Sequence, residues 1–272
     1  MVALAHPRMI DPAPRARMRA LLAPLFELTL QDSRLEGMIA GVIDAGCGER
    51  LPIPRFVYRG PTTDLESVRL ALFALVHGDE PAGATAIFHL LVTAVQDPSL
   101  LRGVDLFCYP VCNPTGFADG TRCNRAGVDL NREFWRGSSH GEVQILEAEL
   151  RAHRFDGLVA LHADCDSPGM YAFARGPVTS DELVAPALAA SESVLPRNTD
   201  VVIDGFSAHH GVIRDCYEGV LAPPPEQSPA PFEIILETPG RASEAAQVQA
   251  ALSGLRGLIA TLPRLSRGGF GI

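Results

Sequence analysis

The chain has 272 residues, 47% hydrophobic and 20% charged, a makeup that suits a soluble globular protein with a sizeable core. Its 32 acidic and 23 basic residues leave a formal net charge of −9, which argues against nucleic acid as the main partner, because phosphate binding needs a cationic face. No apolar run approaches the ~20 residues of a membrane helix, and Pro7, Asp11, Pro12 and Pro14 fall where a signal peptide needs an apolar segment. No membrane partner and a cytoplasmic location are therefore expected. Six scattered cysteines without finger-like or dense disulfide spacing read as free thiols in a reducing compartment.

Taken in order, residues 1–13 read as a mobile arm. Met18, Leu21, Leu22, Leu25, Phe26 and Leu30 give helical spacing over 15–30, with Pro24 predicting a kink or early stop. Residues 53–58 read as a strand that Pro54 confines to a sheet edge or a late start. The apolar run 68–76 reads as a buried central strand and stops abruptly at His77, Asp79 and Glu80. A helix over 81–95 follows, with Pro81 suited to its first turn. Residues 104–111 form the next strand, ending in the turn Cys112-Asn113-Pro114-Thr115-Gly116. A polar, basic loop over 119–136 precedes a helix over 142–154. The apolar strand 158–162 ends in His162, and 171–174 is a short strand. A helix over 181–194 and short strands over 200–203 and 211–213 follow. The segment 223–231 carries five prolines and reads as a rigid connector or lid. A last strand over 232–237 ends in Glu237, and a helix over 242–262 closes the chain.

Strands alternating with helices predict an α/β fold: a mostly parallel mixed sheet of about eight strands with helices on both faces. The expected organisation is an N-terminal arm and helix over 1–50, packed on one catalytic domain over 51–272. Three apolar strands end in His77/Glu80, His162 and Glu237. Parallel strands share a carboxyl edge, where open α/β sheets bind ligands, so these side chains are expected to converge. Imidazole and carboxylate are zinc ligands, and catalytic zinc often takes two His and one Glu.

The segments His77-Gly-Asp-Glu80, Asn113-Pro-Thr-Gly116, Arg122-Cys-Asn-Arg-Ala-Gly-Val-Asp-Leu-Asn-Arg132, Leu161-His162 and Leu236-Glu237 together resemble the zinc carboxypeptidase (carboxypeptidase A-like) family, especially short bacterial members such as murein peptide amidases. The resemblance spans about 70–240, and its most specific part is the run from Arg122 to Arg132. It implies one Zn2+ held by His77, Glu80 and His162, with Glu237 as general base and then acid. It implies that Arg122 stabilises the oxyanion and that Asn131 and Arg132 bind the substrate carboxylate. It gives Asp129 a loop-supporting role. Tyr217, twenty residues before Glu237, has the spacing of the family's mobile tyrosine, with Phe206 as a rival position.

Departures from the pattern are also informative. Asp79 stands where digestive members carry Arg, and as a carboxylate beside the ligands it is a candidate to orient a ligand His. Asp164, two residues past His162, is a candidate for a cationic substrate group or a second metal ion. His209-His210 read as exposed or as part of a substrate loop, since three ligands are already present. The implied substrate is a small peptide or amino-acid conjugate, and the implied reaction is hydrolysis of a C-terminal amide. The alternative is an aspartoacylase or succinylglutamate desuccinylase-like deacylase of N-acyl amino acids. Those enzymes carry a β domain after the catalytic Glu, whereas the sequence after Glu237 reads as a helix. A non-catalytic binding protein on the same fold is a further reading, which loss of the acid or of a ligand would favour; all are present. The sequence does not specify the oligomeric state or the preferred residue at the cleavage site.

Overall fold

The computed structural model describes residues 13–46, 48–63, 66–177 and 179–266. The expected arm therefore lies, Ala13 apart, outside the described residues, as does Cys47. The chain forms an α/β fold around one ten-stranded mixed sheet. Its centre is the row β4 (Val104–Tyr109), β3 (Val68–Ala74), β5 (Gly157–Asp164) and β10 (Phe232–Pro239), all parallel. This row is the parallel sheet expected from the apolar runs, and Leu70 to Ala74 are fully buried, as strands covered on both faces must be.

The two extra strands relative to the expected eight, and most antiparallel pairings, lie on the flanks. β1 (Leu35–Asp44) pairs antiparallel with β2 (Arg50–Arg59), which pairs antiparallel with β4. β1 carries Gly37 and Gly41 and a mixed burial pattern, so it lacks the apolar alternation that marks a strand in sequence. Its presence moves Pro54 off the sheet edge. Pro54 is tolerated because the register slips beside it, between Ile39 and Gly41, and a bulge leaves part of the ladder unpaired. On the other flank β6 (Tyr171–Arg175) runs antiparallel to β10, and the short strands β7 (Val202–Ile203), β8 (Phe206–His209) and β9 (Val212–Ile213) finish the sheet.

Alternate residues of the central strands feed two cores. Leu72, Leu161 and Leu236 pack with α1 (Ala13–Leu28), α2 (Ala82–Gln96), α5 (Thr179–Ser191) and α6 (Glu244–Ser266). Phe73, Ala160 and Ile235 face the opposite way, toward α4 (Gly141–His153) and the loops beside it. Helices thus cover both faces. α1 continues through Pro24, where an early stop was an alternative. Among the described residues no helix is long and apolar enough to cross a membrane.

Candidate active site at the carboxyl edge of the sheet

β3, β5 and β10 are neighbours, so their carboxyl ends meet. Glu237 stands in register with His162 on one side and Tyr171 on the other. Past Ala74 the chain turns through Leu75, whose φ is 52°, and delivers His77 and Glu80 just before α2. Asn113 fixes this turn. Its Oδ1 accepts from the Gly116 N–H at 2.8 Å, capping the short helix α3 (Pro114–Asp119), while its Nδ2 donates to the carbonyls of Val76 and Arg122, each at 3.3 Å. Gly78 lies so close to this helix that a Cβ there would sit 2.0 Å from the Gly116 carbonyl carbon. The Asn-Pro-Thr-Gly turn therefore positions the His77 loop and the Arg122 loop together.

His77, Glu80 and His162 are all buried and their donor atoms converge. His77 Nδ1 lies 2.7 Å from Glu80 Oε1 and 3.1 Å from His162 Nδ1, and His162 Nδ1 lies 2.9 Å from Glu80 Oε2. The opposite nitrogen of His77, Nε2, meets Asp129 Oδ1 at 3.2 Å. That contact fixes the His77 tautomer with Nδ1 as an acceptor, the second-layer support common around metals. Burial drives His162 toward its neutral form, the ligand form, against the pull of Glu80. Burial opposes charge on His77 as well, but the bonds to Asp129 and Glu80 prevail and raise its pKa. Glu80 is held below the ordinary carboxylate range by His162 and His77 despite its burial. Two imidazole acceptors and a carboxylate facing one point form a set that a divalent cation satisfies and a neutral core does not. The residues present therefore fit one zinc ion.

His77 and Glu80 line a cavity of about 650 Å³ together with Arg122, Asn131, Arg132, Asp164, Tyr217 and Glu237, and His162 is buried against them. Eight of the nine residues singled out from the sequence thus line one cavity, and the ninth, His162, meets two of them, His77 and Glu80. Glu237 has no hydrogen-bond partner among the described residues, and burial beside Glu80, Asp164 and Asp204 pushes its pKa well above the usual value. Arg122 faces the ligand set, with Nη1 3.2 Å from His77 Nδ1 and Nη2 held by Asp129 Oδ2 at 3.1 Å. Asn131 is buried with its Oδ1 accepting from the Leu221 N–H at 2.8 Å. Arg132 lies over the ring of Tyr217, its guanidinium carbon 4.1 Å from the centroid.

One expectation resolves differently, the identity of the orienting carboxylate. Asp129, rather than Asp79, orients the ligand histidine; Asp79 lines the cavity. Arg125 is bound by Asp119 and Glu49, away from the cavity. Trp135 packs, with its Nε1 donating to the Ala222 carbonyl at 2.9 Å. His209 and His210 meet edge to face and are exposed outside the cavity, in line with the reading of an exposed pair. Two cavity residues were not anticipated. Tyr171 donates to Asp164 Oδ2 at 3.0 Å, and Asp204, in the turn between β7 and β8, accepts from the Tyr217 hydroxyl at 3.0 Å. Asp204 reaches this place through the pairing of β7, which falls within the stretch expected over 200–203, with β8, which the sequence does not announce.

A family model for the succinylglutamate desuccinylase/aspartoacylase catalytic domain matches residues 66–199. A search of curated proteins found no match. Among solved structures, one named "putative metallopeptidase" from Shewanella denitrificans OS217 has a TM-score of 0.73 and 27% identity, covering 89% of each chain. A metallo-carboxypeptidase from Burkholderia cenocepacia has a TM-score of 0.68 at 17% identity, covering 92% of this chain and 69% of the other. Carboxypeptidase A from Helicoverpa armigera has a TM-score of 0.65 at 18% identity, covering 91% and 72%.

Proposed function

We propose that this zinc carboxypeptidase-like chain is a zinc-dependent metallocarboxypeptidase, hydrolysing an amide bond next to a free carboxylate. The observation that carries the reading is the convergence of His77, Glu80 and His162 beside a cavity lined by Glu237, unpaired among the described residues, and by the Arg122 and Arg132 guanidiniums. The metallohydrolase fold and the conjunction of ligands support a metal-dependent hydrolase; the bond chosen and the individual roles are our assignment.

A zinc ion held by His77, Glu80 and His162 would supply a Lewis acid and lower the pKa of a water molecule. The chain's own residues do the rest. Asn131 and Arg132 hold the substrate carboxylate, a fork-to-carboxylate match, and so set the scissile bond in reach of Glu237. Glu237 takes one proton from the attacking water as the new C–O bond forms. It returns that proton to the amide nitrogen as the C–N bond breaks, which releases a neutral amine leaving group. Its raised pKa favours holding the proton between the two steps. Arg122 donates to the oxygen that gains negative charge.

The family match gives a second reading its support: deacylation of N-acyl amino acids. The chemistry is the same, and only the acyl group differs. The test is amino-acid release by the zinc-loaded protein from peptides with free or amidated C-termini, run beside N-acyl amino acids. Release from free-carboxylate peptides alone supports the carboxypeptidase reading. Release from N-acyl amino acids alone moves the assignment to the deacylase. Equal release from free and amidated peptides removes the Asn131/Arg132 clamp from the account.

A further inference from the structure

The cavity is electrostatically divided. Seven carboxylate side chains line it against two guanidiniums, an excess that one divalent ion does not cancel. Glu80 belongs to the ligand set and Glu237 to the proposed proton transfer. Asp164 and Asp204 contribute charge around Glu237, but neither belongs to the ligand set nor carries the transferred proton. Each is held by neutral donors: Asp164 by the Tyr171 hydroxyl and the Asp166 N–H, Asp204 by the Tyr217 hydroxyl. Among the described residues no Lys, Arg or His pairs with either one. Burial raises the pKa of Asp204 first, the Tyr217 bond opposes this, the charge of Asp164 raises it further, and the more distant charges of Arg132 and Arg122 pull it down.

Their position relative to the carboxylate clamp defines what they meet. Arg132 covers the Tyr217 ring, and the hydroxyl at the far end of that ring bonds Asp204. A substrate carboxylate at Arg132 and a group at Asp204 are therefore separated by about one phenol ring. A lysine-type side chain, a flexible four-carbon stem ending in a charge, spans that gap. A second carboxylate on the released residue would instead face Asp164 and Asp204 unpaired, a like-charge arrangement that costs binding.

We propose that the amino acid released at this site carries a cationic side chain, an ammonium or guanidinium seated against Asp204 and Asp164 while Arg132 holds its α-carboxylate. Asp164 and Asp204 are thus specificity-determining residues. The assignment rests on the reading of the cavity as an amidohydrolase site, and two independent readouts separate the fates of the two ideas.

The first readout is hydrolysis of benzoyl-glycyl-X by the zinc-loaded full chain, with X as Arg, citrulline, Lys, norleucine or Glu. The second is calorimetric binding of the free amino acids arginine and citrulline to the same protein. Arginine and citrulline match in shape and differ in charge. At least a tenfold preference for arginine over citrulline is expected in kcat/KM and in Kd. Asp204→Asn and Asp164→Asn are each expected to lower that ratio fivefold or more, with Asp204→Glu keeping most of it. Thermal melting identifies any variant that fails to fold, and the other variant then carries the comparison. Equal handling of arginine and citrulline, a preference for Glu, or a ratio unmoved in both Asn variants overturns the proposal while leaving the hydrolase reading intact. No cleavage of any X, combined with Asp204-dependent preference for arginine in binding, overturns the hydrolase reading and leaves the cation site standing. Absence of both cleavage and binding preference overturns both.

Discussion

Glu237 is the side chain whose chemistry depends most on its surroundings. Half-buried, without a hydrogen-bond partner among the described residues and close to three other acids, it has no structural employment that its removal would disturb. Glu237→Gln is expected to lower kcat roughly 10²- to 10⁴-fold, the range for a lost acid–base group, while zinc stoichiometry measured by atomic absorption stays at one. Asp129 makes the opposite kind of contribution. It touches His77, Arg122 and the Asn131 N–H, so Asp129→Asn is expected to weaken zinc binding about 10- to 100-fold, as read by competition with a chromogenic chelator. The sequence made the ligand set legible because each ligand ends an apolar run. It could not assign the orienting carboxylate. Asp79 is adjacent to the ligands in the chain, but Asp129 reaches His77 from fifty-two residues away, and spacing along the chain says nothing about a contact made between loops.

At the scale of elements, the site depends on two close approaches. Gly78 admits no side chain, because a Cβ would meet the Gly116 backbone at 2.0 Å. Gly78→Ala is expected to cost about 1–3 kcal/mol and to displace His77 and Glu80, which a lowered midpoint in urea together with weaker zinc binding would reveal. On the opposite face, α4 is tied to the sheet through Glu149, which meets Arg55, the Tyr109 hydroxyl at 2.8 Å and His153 at 3.4 Å. Burial alone would raise the Glu149 pKa, but the bonds from His153, Tyr109 and Arg55 hold it at about 2. A depressed carboxylate pKa contributes stability that is present above the unfolded value and is lost as pH falls through the folded one. Wild type is therefore expected to exceed Glu149→Gln in stability at pH 7 by on the order of 1 kcal/mol, after allowance for solvent screening. Denaturant titrations from pH 7 down should show the difference fading below the ordinary glutamate range and gone near pH 2.

For the whole molecule, the cores on both faces of the sheet are complete without a metal, so the fold is expected to survive chelation. Ion binding still adds stability by mass action, about 4 kcal/mol at a thousandfold excess over Kd. For a domain of this size that corresponds to roughly 10 °C in Tm. Chelation should lower the melting temperature by about that amount, zinc should restore it, and the far-ultraviolet dichroism at 25 °C should stay unchanged. A chain that unfolds on chelation at 25 °C would contradict this account and make the metal part of the core.

The sequence by itself determined the central parallel row and the three strand ends that carry His77, Glu80, His162 and Glu237. A strand buried on both faces must be apolar along its whole length, and its first polar residues mark its exit. The tertiary structure alone decided the flank strands β1, with its two glycines, and β8, which draw their order from neighbours rather than from local pattern. It also decided Asp129 and Asp204, whose positions follow from loops folded against distant segments. Local periodicity reports burial along one stretch of chain; a contact between two loops is set by the packing of everything between them.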